Sequence, residues 1–145
     1  MNLQKRLAFT LAAAALFGLT AVAASAATIT KGTFTLPAQA YWNDNLLQPG
    51  EYSLSLDRSA TGAELVTVRG EGMAAVILVQ VASQASSGHS CLKADEVDGT
   101  YVIRELDAGT STGSYQFGVS KAARNLTLRG AAGRPVTVAV AAAGM

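Results

Sequence analysis

The sequence predicts an all-β fold: a single antiparallel β-sandwich or small β-barrel of about 8–9 strands, preceded by a helical signal peptide. Three observations lead to this prediction. The chain begins with an apolar leader, it continues in short runs whose apolar and polar residues alternate, and glycine-rich or asparagine-rich turns separate those runs.

Residues 1–26 have the three parts of a secretory signal peptide. Lys5 and Arg6 supply the charged start, residues 7–23 contain no charged side chain, and residues 24–26 (Ala-Ser-Ala) supply a small-residue cleavage site. The alternative is retention as a membrane anchor, since the apolar run approaches the roughly 18 residues that can span a bilayer. With cleavage, residues 27–145 form one all-β domain that is secreted or periplasmic and has no stable membrane span.

The charge and cysteine content exclude some functions. The chain has 11 Lys and Arg against 10 Asp and Glu, and loss of Lys5 and Arg6 leaves 9 against 10. A net charge of about −1 without a basic run is not the composition of a nucleic-acid-binding domain. Cys91 is the only cysteine, so no intramolecular disulfide can form. It is either a buried, inert residue or a thiol that reacts or pairs with another chain.

The best-defined element is the segment of residues 47–56, where a Pro-Gly turn opens into a strand. Pro49 and Gly50 fit the central positions of a type II turn, in which glycine adopts the positive φ. Tyr52 begins a run of alternate apolar residues that share one face. We therefore expect Pro49, Gly50 and Tyr52 to have an architectural role.

The other predicted strands are residues 28–36, 65–69, 74–81, 91–94, 100–106, 114–120, 126–129 and 135–141. Residues 74–81 are apolar on both faces, which predicts a central strand covered on each side. Asp98-Gly99 predicts a tight hairpin turn. Residues 121–125 are predicted to form a single helical turn.

The turns give the chain a resemblance to a set of small secreted proteins from soil bacteria, notably acidobacteria. Those proteins share an L-P-A-G-x-Y motif at a turn and strand, a later d-G-x-Y motif and an S-K pair near the end. Residues 47–52, 98–101 and 120–121 take these places here, after Leu36-Pro37. The resemblance implies a strand-rich exported domain and no catalytic residue.

Tyr41 and Trp42 are the candidate ligand-binding residues. They precede the turn-forming Asn43-Asp44-Asn45 cluster, so the two rings either cap the core or form an exposed stacking platform for a sugar or aryl group.

Catalytic and metal signatures are weak. His89 and Cys91 are two residues apart, whereas catalytic Cys/His pairs are normally brought together from distant segments. One histidine and one cysteine cannot supply a zinc site, and residues 95–99 lack the spacing of a calcium loop. We predict no catalytic, metal or cofactor-binding residues.

These observations favour an exported, non-enzymatic β domain with a binding or structural role in the envelope or outside the cell. Its partner is predicted to be an unknown protein or envelope component, and self-association is predicted through an edge strand at residues 135–140. The alternative is a secreted hydrolase of an envelope or extracellular polymer. Its loop carboxylates would be Glu64, Glu71, Asp95 or Glu96.

Overall fold

The computed structural model describes residues 27–84, 88–109, 112–129 and 133–142, and the predicted signal peptide lies outside these residues. The described chain forms eleven β-strands and one α-helix. The strands are β1 (Ala27–Leu36), β2 (Ala40–Trp42), β3 (Asn45–Leu47), β4 (Gly50–Arg58), β5 (Glu64–Gly70), β6 (Met73–Ser83), β7 (Cys91–Val97), β8 (Thr100–Asp107), β9 (Ser114–Phe117), β10 (Arg134–Ala139) and β11 (Ala141–Ala142). The helix, α1 (Lys121–Arg129), lies between β9 and β10.

The prediction of an all-β fold is confirmed. The strands form one sheet in the order β10-β7-β8-β9-β6-β5-β4-β1-β11, and β2 joins it by pairing with β8 and β3. Pairing is antiparallel between neighbours, except that β2 and β8 are parallel. The sheet is sandwich-like and is not closed into a barrel. It exceeds the predicted number of strands because β2, β3 and β11, of two or three residues each, were not expected.

The core forms from alternate residues of the long strands, whose inward side chains meet inside the folded sheet. The largest fully buried side chains include Trp42, Leu36, Leu47, Leu56, Ile77, Leu92, Ile103 and Leu106. Three aromatic contacts join four side chains of the core. Phe34 stacks on Tyr52 at a centroid distance of 5.5 Å, and Trp42 makes edge contacts with Phe34 at 6.0 Å and with Phe117 at 5.1 Å.

The segment at residues 47–56 has the predicted strand but not the predicted turn. Tyr52, Leu54 and Leu56 are buried on one face of β4, as their alternation predicts. Gly50 has the expected positive φ, but its value of 149° differs from the roughly +80° of the type II position. Gly50 is already part of β4 and pairs with Leu36. The type II turn is therefore wrong, because strand pairing extends the glycine backbone.

The prediction that residues 74–81 are covered on both faces is also wrong. The segment lies within β6, between β5 and β9. Ile77 is buried, but Val76 is 62% exposed and Leu78 is 53% exposed. The strand is central in its hydrogen bonding, yet its outward apolar side chains remain in contact with solvent.

Residues 121–129 form the helix α1, where the sequence predicted one helical turn followed by a strand at residues 126–129. Ser120 begins the helix: its Oγ accepts a hydrogen bond from the Ala123 backbone N–H at 3.1 Å. Ala123 is the helical residue that packs inward, at 1% exposure.

No helix among the described residues is long and apolar enough to cross a membrane.

The Asp98-Gly99 hairpin is as predicted. Val97 pairs with Thr100 across the two turn residues, and Asp98 and Gly99 have φ values of 50° and 77°. Two positive φ values are what a type I′ turn requires. The strand before the turn is longer than predicted and runs from Cys91 to Val97.

The last described segment connects the two ends of the strand order. β10 pairs with β7, and after Val140 the chain continues into β11, which pairs with β1 at Gly32 and Thr33. A Cβ at Gly32 would lie 2.5 Å from Val140 Cγ1, so the bare glycine allows this close approach. We call the junction between β1 and the β10–β11 segment the seam.

Candidate functional site

Tyr41 and Trp42 do not form an exposed platform. Trp42 is 0% exposed and lies between Phe34 and Phe117, while Tyr41, its neighbour on β2, is half-buried. The platform interpretation is wrong because consecutive strand residues point to opposite faces, and the inward position belongs to the tryptophan. The Trp42 indole N–H has no hydrogen-bond partner among the described residues.

The four carboxylates considered for a hydrolase are distributed over separate strand pairs. Three are held in ion pairs: Glu64 with Arg58, Asp95 with Arg104, and Glu96 with Arg134. The hydrogen bonds in the first and third pairs raise the pKa of Arg58 and of Arg134 above its usual value. The fourth carboxylate, Glu71, lies in the turn after β5 and lines a cavity that is described below.

A partly buried ionic network occupies the junction of β7, β8 and β9. Lys93 Nζ lies 3.1 Å from Glu105 Oε1 and 3.7 Å from Asp107 Oδ2. Ser114 Oγ donates a hydrogen bond to Glu105, and Asp107 Oδ1 accepts one from the Gly109 backbone N–H at 3.1 Å. The hydrogen bond to Glu105 raises the pKa of Lys93. The ammonium group is therefore held charged between carboxylates, which is the state of a structural ion pair.

His89 and Cys91 lie at the start of β7. His89 is exposed, and Cys91 is a half-buried free thiol that pairs in register with Asp107 and Ala139. In the part of the chain that the structure describes, no three His, Cys, Asp or Glu side chains are grouped to hold a metal ion. Within residues 95–99, which were considered for a calcium loop, Asp98 and Gly99 form the hairpin turn described above.

A large cavity lies at the seam. It has a volume of about 780 Å³ and is walled by Thr33–Thr35 of β1 and Val138–Ala141 of the terminal segment. This cavity, the seam cavity, opens because the two segments diverge. Ala139 pairs with Cys91 of β7, whereas Ala141, two residues later, pairs with Thr33 of β1.

The seam cavity has an apolar floor and a charged rim. Phe34 and Tyr52 form the floor, and the Tyr52 hydroxyl donates a hydrogen bond to the Gln48 carbonyl at 2.5 Å. Glu51 and Glu71 stand at the rim. Tyr52 was predicted as an architectural residue, and the structure places it in the floor of this cavity. The alternation of β4 could indicate its burial but not the divergence of β1 and β10.

β10 is an edge strand. It ends the hydrogen-bonded order and pairs with β7 alone. Val138 is buried, and Val136 packs against the core, so the alternating valines face inward; Thr137 and Ala139 face solvent. Pro135 fits this position because proline, which has no N–H, is tolerated at sheet edges.

Comparisons with protein-family models, with curated proteins and with solved structures found no match to this chain.

Proposed function

We propose that the chain is an exported, non-enzymatic β domain that binds an extended segment of another protein chain along the edge of β10. The observation that carries this proposal is the position of β10: it ends the strand order, and its last residues wall the seam cavity. An edge strand presents unpaired backbone N–H and C=O groups, which another strand can satisfy. Export rests on the leader at residues 1–26.

A second copy of the same chain is the partner that we propose first. Two β10 strands can pair antiparallel about a two-fold axis, which makes the same edge both donor and acceptor. Arg134 is the only charged residue of β10, and it is already paired with Glu96 at 2.6 Å. Self-pairing therefore places no uncompensated like charges opposite each other.

The association should be weak and concentration-dependent. Beyond Thr137 the strand approaches β1 across the seam cavity, so the free edge spans about four residues, fewer than the 5–6 of a typical strand. Pro135 removes one donor from that edge.

Sedimentation equilibrium of the purified protein tests the proposal. We expect a reversible monomer–dimer equilibrium in the wild type and its loss in Thr137→Lys, since a lysine on an edge opposes strand addition. Gln116→Lys is the matched control, because Gln116 is exposed on β9, which has strands on both sides. A wild-type monomer at every concentration, or equal dimerisation of Thr137→Lys and wild type, would contradict the proposal. Deletion of β10 is unsuitable because Val138 belongs to the core.

The second candidate is a hydrolase, favoured by one observation: Glu51 and Glu71 line the same cavity. Such an enzyme would use one carboxylate as acid and the other as base or nucleophile. We would measure release of reducing ends from peptidoglycan and soluble polysaccharides. Activity that is absent in both Glu51→Gln and Glu71→Gln but retained in Glu64→Gln would support it, and absence of turnover in the wild type would remove it.

A further inference from the structure

A second cavity, separate from the seam, brings positive charges from two elements together. It has a volume of about 610 Å³, and its lining includes Arg104 of β8 with Lys121 and Arg124 of α1. Asp44, in the turn between β2 and β3, is the only acidic residue of this lining. Three cations against one carboxylate leave an excess of two positive charges around a concave, largely polar space.

The three cations lack full compensation within the described residues. The Arg104 Nε donates to Asp95, which is the partner of that guanidinium group among the described residues. Neither Lys121 nor Arg124 forms an ion pair with a described residue. Among the described residues, the lysine and arginine side chains in ion pairs are those of Arg58, Lys93, Arg104 and Arg134.

The placement of Lys121 and Arg124 is unfavourable for the helix itself. Both belong to the first turn of α1, which contains no acidic residue, although negative groups are the ones that stabilise the positive end of a helix dipole. Ser120 already satisfies the Ala123 N–H through its Oγ and the Arg124 N–H through its carbonyl oxygen. Helix capping therefore uses Ser120 and not the side chains of the two basic residues.

We propose that this cavity, the cationic cavity, binds an oxyanion of the phosphate type. The convergence of Arg104 from the sheet with two helix cations carries the proposal. Guanidinium and ammonium groups form short, charge-assisted hydrogen bonds to phosphate oxygens, and arginine can engage two of them at once. A phosphate group carries one to two negative charges near neutral pH, and the cavity keeps an excess of one positive charge even when Asp95, the partner of Arg104, is counted with Asp44.

The site suits one phosphoryl group rather than a nucleic-acid backbone. Binding along a nucleic acid requires a stripe of basic residues that neutralises many phosphates. Here the basic residues are confined to one cavity, and the chain without residues 1–26 has 9 Lys and Arg against 10 Asp and Glu. The phosphoryl group can be free phosphate, or it can be carried by a lipid.

Calorimetric titration of the purified protein with inorganic phosphate, in low-salt buffer without other oxyanions, tests the proposal. We expect saturable binding, weakened about tenfold or more in the double variant Lys121→Gln with Arg124→Gln, since each loses a charge-assisted hydrogen bond. The control is Lys31→Gln with Arg129→Gln, which removes the same charge away from the cavity; both control residues are exposed, and Arg129 lies in the last turn of α1. The control should change the affinity by less than about twofold.

Absence of binding both to inorganic phosphate and to phosphatidic acid vesicles, or equal weakening in the two double variants, would overturn the proposal. Circular dichroism and thermal unfolding of each variant establish that α1 and the sheet are retained. Sedimentation with phosphatidylcholine vesicles, with and without phosphatidic acid, distinguishes the two sources. Binding only to the phosphatidic acid vesicles, lost in the cavity variant and kept in the control, assigns a lipid-borne phosphoryl group; binding of phosphate without vesicle binding assigns the free anion.

Discussion

Replacing Gly70 with alanine should destabilise the fold far more than a single methyl group suggests. Gly70 is the cross-strand neighbour of Tyr52, and a Cβ at this position would lie 2.4 Å from Tyr52 Cε1. The ring cannot yield easily. Its hydroxyl is bonded to Gln48 O at 2.5 Å, and its face stacks on Phe34 with an interplanar angle of 17°.

The magnitude follows from what the ring must give up. If Tyr52 stays in place, the overpacked contact costs about 1–3 kcal/mol. If the ring moves, it loses a hydrogen bond that contributes about 0.5–1.5 kcal/mol and an aromatic contact that contributes about 0.5–1.5 kcal/mol. Both routes lead to a decrease of about 2 kcal/mol in the free energy of unfolding, measured by urea denaturation followed by circular dichroism.

The matched control is Gly88→Ala, because a Cβ at Gly88 meets no atom within 4 Å. It should change the free energy of unfolding by less than about 0.5 kcal/mol. Gly70→Ala in a Tyr52→Val background should also be nearly neutral, since the clashing ring is then absent. A Gly70→Ala protein as stable as the wild type, or one whose loss of stability persists without the Tyr52 ring, would refute the reasoning.

Four further predictions concern other parts of the fold. Trp42, the only tryptophan, is fully buried, so its fluorescence should be blue-shifted and resist iodide quenching; a solvent-like emission would contradict this. Gly50→Val should lower the free energy of unfolding by about 1–3 kcal/mol, because φ is 149°; a denaturation midpoint equal to that of wild type would count against it. Lys121→Glu should stabilise the protein by about 0.3–1 kcal/mol in oxyanion-free, low-salt buffer, because a negative charge suits the start of α1; a lower melting temperature would oppose this. The raised pKa of Lys93 contributes stability below about pH 10.5 that is lost as pH rises through the folded-state pKa, so Lys93→Met should flatten that alkaline decline; an unchanged slope would exclude Lys93 as its cause.

The strands were predictable where alternation and turn chemistry agreed. β4 shows this, because its apolar residues alternate, and the β7–β8 hairpin shows it again at Asp98-Gly99. The exposure of one face of β6 could not be predicted from the sequence. Apolar residues on both faces indicate that a strand can be buried on both faces, but only the three-dimensional arrangement shows that Val76 is 62% exposed.

The full length of helix α1 and the two cavities were not predicted, for different reasons. The helix signal was present in Ser120 and the alanines after it, yet Leu126 and Leu128 resemble the alternate residues of a strand. The burial of Ala123 and the cap at Ser120 stabilise the helix. The cationic cavity joins residues from β8 and α1, and the seam cavity joins β1 to β10, so neither leaves a local pattern in the sequence.

Hydrogen–deuterium exchange at increasing protein concentration tests the central claim, strand addition at β10, most directly. The account predicts that the amides of residues 134–137 that point away from β7 exchange rapidly in dilute solution and become protected as the concentration rises. The amides of β5, which has strands on both sides, should be unaffected. Exchange at the β10 edge that is independent of concentration, in wild type and Thr137→Lys alike, would contradict the proposed binding edge.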